Sequence, residues 1–68
     1  MPGRSYRLLE IVGTSANGVD EAITNGIADA RQEGRQLNWF QVVEIRGHIQ
    51  DNGVAHTQVT MKLGYRDA

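Results

Sequence analysis

Apolar residues follow two different spacings along this chain, and each spacing predicts a different kind of element. Between residues 19 and 30 they recur at intervals of three and four, as on one face of an amphipathic helix. The members of this stripe are Val19, Ala22, Ile23, Gly26, Ile27 and Ala30. We predict a helix of about 16 residues that begins near Gly18, is capped by Ser15 or Asn17, and closes at a left-handed Gly34. Gly26 on the stripe would let it approach a sheet closely.

The remaining segments alternate polar and apolar residues, which is the spacing of β-strands. We predict strands at Tyr6 to Thr14, Asn38 to Arg46 and Ala55 to Tyr65. The order is therefore β-α-β-β, an α+β fold in which one helix covers a three-stranded antiparallel sheet. The first strand carries apolar residues on both sides, so we expect an oligomer contact to cover its second face.

A hairpin around Asp51-Asn52-Gly53 should join the last two strands. A three-residue loop, with Gly53 left-handed before a bulge, opposes apolar to apolar residues, whereas a two-residue Asn52-Gly53 loop would oppose Val59 to Arg46. The favoured pairs are Ile45 with Val59, Val43 with Met61, Arg46 with Gln58 and His48 with His56.

The orientation of Trp39, the only tryptophan, depends on a possible irregularity in the second strand. The alternation changes phase between Val42 and Val43, and a β-bulge there would place Trp39 on an outward face with Arg46 and Gln58. Without the bulge, Trp39 would join the core. The pattern alone leaves both alternatives open.

Composition predicts a single domain, residues 1–68, with a thin core. A chain of 68 residues buries only about 60% of its unfolded surface, and this one has no cysteine and no zinc-like cluster. We therefore expect a homo-oligomer. The formal net charge of -1 and pI near 6.0 argue against nucleic-acid binding. No apolar run reaches the length of a membrane span, so a cytoplasmic protein is expected.

Candidate chemistry favours binding over catalysis. The two serines belong to no nucleophile motif and the carboxylates are scattered, so we expect no enzyme. His48 and His56 could hold a metal, but no third ligand is evident; an anionic ligand is favoured. The indole of Trp39, the guanidinium of Arg46 and the amide of Gln58 suit a flavin, and Trp39 as an interface anchor is the alternative.

Four stretches of the chain resemble the bacterial dodecins, and the resemblance covers nearly its whole length. They are Tyr-Arg-Leu-Leu-Glu-Ile-Val-Gly-Thr-Ser at 6 to 15, Asn38-Trp39-Phe40, Glu44-Ile45-Arg46-Gly47, and Gln58-Val59 through Lys62-Leu63-Gly64-Tyr65. The resemblance implies a sheet wrapped around the helix and a homododecamer that forms a hollow particle. It also implies flavin storage, with stacked flavin pairs held between symmetry-related tryptophans at subunit contacts.

The same resemblance suggests roles for individual residues. Trp39 matches the stacking tryptophan, Gln58 matches the glutamine that hydrogen-bonds the flavin, and Arg46 and Arg66 match arginines associated with the ligand. We expect FMN to be favoured over riboflavin or FAD, because these arginines with His48 and His56 could neutralise its phosphate. Bacterial relatives also bind coenzyme A, which no residue here assigns.

Overall fold

Over the residues that the structure describes, the protein folds into a three-stranded antiparallel sheet with a single helix on one face. The computed structural model describes residues 5–66. The elements are β1 (Arg7–Ser15), α1 (Val19–Arg31), β2 (Gln36–Gln50) and β3 (Gly53–Arg66). The strand order is β1-β3-β2, so β3 lies in the middle and pairs with both neighbours. The predicted β-α-β-β architecture is confirmed.

The core lies between α1 and the central strand. Val59, Met61 and Leu63 alternate along β3 and are almost completely buried. They meet the small residues Ala22 and Ala30 of the helix, whose predicted apolar stripe therefore faces the sheet. Alternate residues of a strand point to one face, so the strict alternation of β3 places all three side chains under the helix. As expected for a short chain, the core is thin.

Two glycines set how closely the helix approaches the sheet. A Cβ atom at Gly13 of β1 would overlap the backbone oxygen of Ala22. A Cβ atom at Gly26 would lie 3.0 Å from Met61 Cε and 3.1 Å from Ile11 Cδ1. The close approach predicted for Gly26 is confirmed. Gly13 also permits this approach, from the strand side, where an added Cβ atom would meet the helix backbone itself.

The start of the helix differs from the capping prediction. Gly18 is the N-cap and makes no side-chain capping bond. Ser15 and Asn17 instead use their side-chain donors, which reach the carboxylate of Glu21. Ser15 Oγ donates to Glu21 Oε2 at 2.6 Å and Asn17 Nδ2 donates to the same oxygen at 2.9 Å. The prediction that Ser15 or Asn17 caps the helical amides is wrong.

The helix is also shorter than predicted, with 13 residues. Beyond Arg31 the chain makes tighter bonds from each amide to the third carbonyl before it, ending with the Gly34 amide on the Arg31 oxygen at 3.0 Å. Gly34 has a φ of 84°, so the left-handed conformation predicted at this glycine is confirmed. Among the residues that the structure describes, no helix is long and apolar enough to cross a membrane.

The hairpin reaches the predicted register by a different route. Asp51 and Asn52 form a two-residue turn with φ values of 55° and 62°, the positive pair that a type I′ turn requires. Gly53 does not have a positive φ, so the predicted three-residue loop is wrong. A register shift between His48 and Ile49, next to the turn, compensates.

The pairs beyond that shift are those expected, with one exception. Ile45 opposes Val59, Arg46 opposes Gln58 and His48 opposes His56. Met61 opposes Val42 rather than the predicted Val43, because a second register shift falls between Val42 and Glu44. Val43 is the additional residue of that bulge.

Candidate functional site

The sheet face opposite α1, here called the outer face, carries the polar residues of β3. Gln58, Thr60, Lys62 and Gly64 alternate there with the buried core residues. Because the bulge at Val43 restores the phase of β2, Trp39 and Arg46 both lie on this face, opposite Gly64 and Gln58. The structure therefore has the bulged alternative, and Trp39 is 42% exposed rather than part of the core.

Trp39 occupies the space that a side chain at Gly64 would need. A Cβ atom at Gly64 would overlap Cε2, Cζ2 and Nε1 of the indole. A glycine within a strand often marks such a close approach. The indole of β2 thus lies over the backbone of the central strand, with its remaining surface open to a partner ring.

Two further residues complete this end of the outer face. The Tyr6 ring meets the Trp39 ring edge-to-face, with centroids 6.2 Å apart and planes at 70°. Arg66 Nη2 donates to the Tyr6 hydroxyl at 3.1 Å, and its guanidinium carbon lies 4.9 Å from the centre of the same ring. We call Tyr6, Trp39, Gly64 and Arg66 the tryptophan cluster.

The other predicted site residues form a separate group near the hairpin end. Arg46 lies opposite Gln58 and His48 lies opposite His56, so these four, here called the hairpin group, occupy neighbouring positions. Gln58 is six residues from Gly64 along β3, which corresponds to about 20 Å in an extended strand. The structure therefore brings Trp39 and Arg66 into one cluster and Arg46 and Gln58 into another. The two clusters lie apart within one chain.

Within residues 5–66, no group of three or more histidine or carboxylate side chains could hold a metal ion. The two histidines of the hairpin group stand with Arg46 and Gln58, and Glu44 lies two residues before Arg46 on the same face of β2. The Arg46 guanidinium is the donor in this group that can make charge-assisted hydrogen bonds to an anion.

The helix side of the sheet has two clefts along β2. One, of about 140 Å³, lies between α1 and the start of β2 and is lined by Ile27, Leu37, Asn38, Trp39, Phe40 and Leu63. The other, of about 330 Å³, lies at the hairpin end beside the first helical residue, Val19, with Ile45, Ile49 and Val54 as its large apolar lining. Both clefts expose apolar surface that one subunit leaves uncovered.

Sequence reasoning missed Tyr6 and Gly64 as site residues. In the sequence Tyr6 begins an apolar strand, and both Tyr6 and Gly64 stand in stretches that resemble dodecins, but neither pattern indicates a role in the site. Continuing the β1–β3 register by one pair places Tyr6 opposite Arg66, so a known strand order would have revealed the neighbour. The glycine within an otherwise regular strand was the available signal for Gly64.

Comparison with known proteins identifies the family of this chain. The family model described as Dodecin matches residues 5–67. This chain belongs to the dodecin family. The predicted resemblance is therefore confirmed, and members of this family bind flavins and assemble into oligomers.

Individual dodecins match over nearly their whole length. The dodecin of Thermus thermophilus is 45% identical over 64 residues, covering 94% of this chain and 93% of the relative. The Streptomyces davaonensis dodecin structure is 55% identical with a TM-score of 0.88, covering 94% of each chain. The Streptomyces coelicolor dodecin structure is 48% identical with a TM-score of 0.90, covering 100% of this chain and 97% of that one.

Proposed function

We propose that this protein sequesters flavin by stacking pairs of isoalloxazine rings between Trp39 side chains of neighbouring subunits in a homododecamer. The observation that carries the proposal is the placement of Trp39. A large aromatic ring is normally buried, yet this indole is half exposed and lies over a glycine on a sheet face away from the core. Such a surface suits stacking on a flat heterocycle.

The separation of the two residue groups supports a site shared between subunits. One isoalloxazine cannot span the roughly 20 Å of strand between the position of Trp39 and that of Gln58 in one chain. A flavin that stacks on Trp39 and hydrogen-bonds a Gln58 amide would therefore take these side chains from different copies. Sharing the site in this way would make flavin binding depend on assembly.

The uncovered apolar surface of β2 supports oligomer formation independently of the ligand. Phe40 and Ile45 face the helix side of the sheet, yet they are 48% and 54% exposed. Both border the clefts along this strand. Apolar surface of this kind is typical of a protein interface.

Charge supports FMN as the preferred ligand, with riboflavin or FAD as the related alternatives. Arg66 lies in the tryptophan cluster, and Arg46 lies beside His48 and His56 in the hairpin group. Guanidinium groups bind phosphate oxygens with charge-assisted hydrogen bonds. Riboflavin has no phosphate, so it cannot accept these bonds. Coenzyme A, whose phosphates would meet the same arginines, remains a second ligand to test.

The proposed role is storage, with quenching of flavin photochemistry, and it is not enzymatic. Each flavin of such a pair has one ring face against an indole and the other against the second flavin, so both faces are blocked to a substrate. Electron transfer from tryptophan returns the excited flavin to its ground state. We place this role in the cytoplasm, as the sequence predicts. The competing function, a cofactor-free scaffold, would use the exposed apolar surface of β2 alone.

The test is titration of the purified protein with FMN, followed by flavin absorption and fluorescence, beside size-exclusion chromatography. We expect quenched flavin fluorescence that saturates near one flavin per subunit, in a large particle. Unchanged fluorescence in a large particle would leave only the scaffold function. A monomer that leaves FMN fluorescence unchanged would contradict both. Steady-state assays with a reductant and an acceptor would reveal any turnover.

A further inference from the structure

Tyr6 contacts two other members of the tryptophan cluster, Trp39 and Arg66. Its ring meets the edge of Trp39, and its hydroxyl accepts a hydrogen bond from Arg66. The Arg66 guanidinium also lies over the Tyr6 ring, so its position is defined by two contacts with the same side chain. Aromatic ring and cation are thus both oriented by one residue of the chain leading into β1.

The contact between Tyr6 and Trp39 depends on the glycine between them. Trp39 belongs to β2 and Tyr6 directly precedes β1, and the central strand β3 separates these two strands. Any side chain at Gly64 would occupy the space of the indole. Because glycine stands there, the indole crosses the middle strand and reaches the tyrosine. An edge-to-face pair of this kind restricts the ring orientations available to Trp39.

We infer that Tyr6 is a positioning residue of the flavin site: its ring orients Trp39 for stacking, and its hydroxyl orients Arg66 toward the ligand phosphate. This inference rests on the proposed function. It separates two properties of one side chain. The ring governs the affinity for every flavin, because every flavin stacks on Trp39. The hydroxyl governs the preference for FMN over riboflavin, because only FMN carries a phosphate.

The two properties are separable with two variants. Tyr6→Phe keeps the ring and removes the hydroxyl, so riboflavin affinity should be unchanged while FMN affinity falls about two- to tenfold, as expected for one hydrogen bond. Tyr6→Leu removes the ring as well, so affinities for both flavins should fall. Each titration is run on the assembled protein, with particle size verified by size-exclusion chromatography.

A matched control is the other tyrosine of the chain. Tyr65 points to the helix side, where the Arg35 guanidinium carbon lies 5.3 Å from its ring centre. Tyr65→Phe removes a hydroxyl of the same kind from the opposite face. It should leave the ratio of FMN to riboflavin affinity at the wild-type value.

A readout without ligand tests the orientation of Trp39 itself. Trp39 is the only tryptophan, so its near-ultraviolet circular dichroism and fluorescence anisotropy report this one ring. Tyr6→Leu should weaken the dichroism and lower the anisotropy, and Tyr6→Phe should preserve both. These signals remain decisive even if the wild-type protein binds neither flavin, a result that would refute the proposed function alone.

Two results would overturn the inference. Wild-type dichroism, anisotropy and flavin affinities in Tyr6→Leu would show that the ring does not position Trp39. An unchanged ratio of FMN to riboflavin affinity in Tyr6→Phe would show that the hydroxyl does not direct Arg66 to the phosphate.

Discussion

The two edge strands of the sheet flank the same central strand but have opposite surroundings. On the β1 side, Leu9 and Ile11 are partly buried and pack against the core under α1. On the β2 side, Phe40 and Ile45 point to the same face of the sheet and are about half exposed. The helix packs chiefly on β1 and β3 and leaves most of β2 bare.

This difference separates what one chain stabilises from what it leaves to its neighbours. The β1 side, here called the covered side, is a small packed core in which the helix contacts the sheet closely. The β2 side, here called the bare side, exposes apolar residues that α1 leaves uncovered. It also carries Trp39. The residue proposed to bind the ligand therefore lies on the strand that most needs another subunit, which would couple binding to assembly.

The largest expected effect comes from disturbing the covered side. Gly13→Ala places a Cβ atom against the backbone oxygen of Ala22, and neither backbone can yield without moving the helix. We expect the free energy of unfolding to fall by about 1–3 kcal/mol or more, as for other overpacked cores. Urea unfolding at a fixed subunit concentration measures it, because assembly makes stability depend on concentration.

The matched control is a glycine with room for a side chain. At Gly53 an added Cβ atom would lie 3.8 Å from the Gln50 oxygen, an ordinary contact, and the backbone φ is not positive. Gly53→Ala should change the free energy of unfolding by no more than about 0.5 kcal/mol. Similar losses in the two variants would refute the close-contact explanation.

The next effect tests the bare side. Ile45→Asp should place a carboxylate in the surface that neighbouring subunits are expected to cover, where an unpaired charge is strongly unfavourable. We expect most of the protein at micromolar concentration to elute as a much smaller species in size-exclusion chromatography. Thr24→Asp, on the exposed face of α1, is the control and should keep the large particle. An intact particle for Ile45→Asp would remove this residue from the interface.

The same contrast explains which parts of the fold the sequence predicts. On the covered side, periodicity reports burial directly, so the helix stripe and the alternation of β3 locate the core. On β2 every residue except Leu37 is exposed, so no buried stripe fixes its phase. Both Val42 and Val43 are apolar, and only the pairing with β3 shows which of them is the additional residue of the bulge.

The hairpin turn and the tryptophan cluster show a second limit. A three-residue loop and a two-residue turn followed by a bulge give the same strand register, so apolar pairing could not distinguish them. The cluster required the strand order, because Tyr6 and Trp39 are on opposite sides of β3 and meet only across Gly64. Spacing along the sequence carries no information about which strand lies in the middle.

A smaller effect is expected for Trp39, the residue of β2 that is proposed to stack on the flavin. Trp39→Ala should weaken FMN binding by roughly 1–3 kcal/mol, by analogy with bases stacked on aromatic side chains. Trp39→Phe keeps a flat ring and should lose less. Fluorescence titration of assembled protein measures both affinities, and the alanine variant should also quench bound flavin less. Wild-type affinity in Trp39→Ala would exclude this indole from the site.

The smallest expected effect lies on the covered side, where β1 leads into the helix. The Ser15 hydroxyl and the side-chain amide of Asn17 both donate to Glu21, and these bonds hold the pKa of that carboxyl below its usual range. A lowered pKa in the folded state stabilises the protein above the unfolded pKa, about 4.3 for glutamate, and this contribution disappears as pH falls through the folded value. Ser15→Ala should therefore lower the Tm more near neutral pH than in acid. Ser5→Ala, at an exposed serine outside the strands, should show no such dependence.

The acid limit provides the decisive comparison for Ser15. Its hydroxyl also accepts a hydrogen bond from the backbone N–H of Asn17 at 2.8 Å, and this bond does not require a charged Glu21. Ser15→Ala should therefore retain a residual loss of Tm in acid, smaller than its loss near neutral pH. In a Glu21→Gln background the same substitution should cost an equal Tm at every pH, because the titrating acceptor is gone. A loss of Tm in Ser15→Ala that is the same at all pH values with Glu21 present would show that the carboxylate contributes nothing to this corner of the fold.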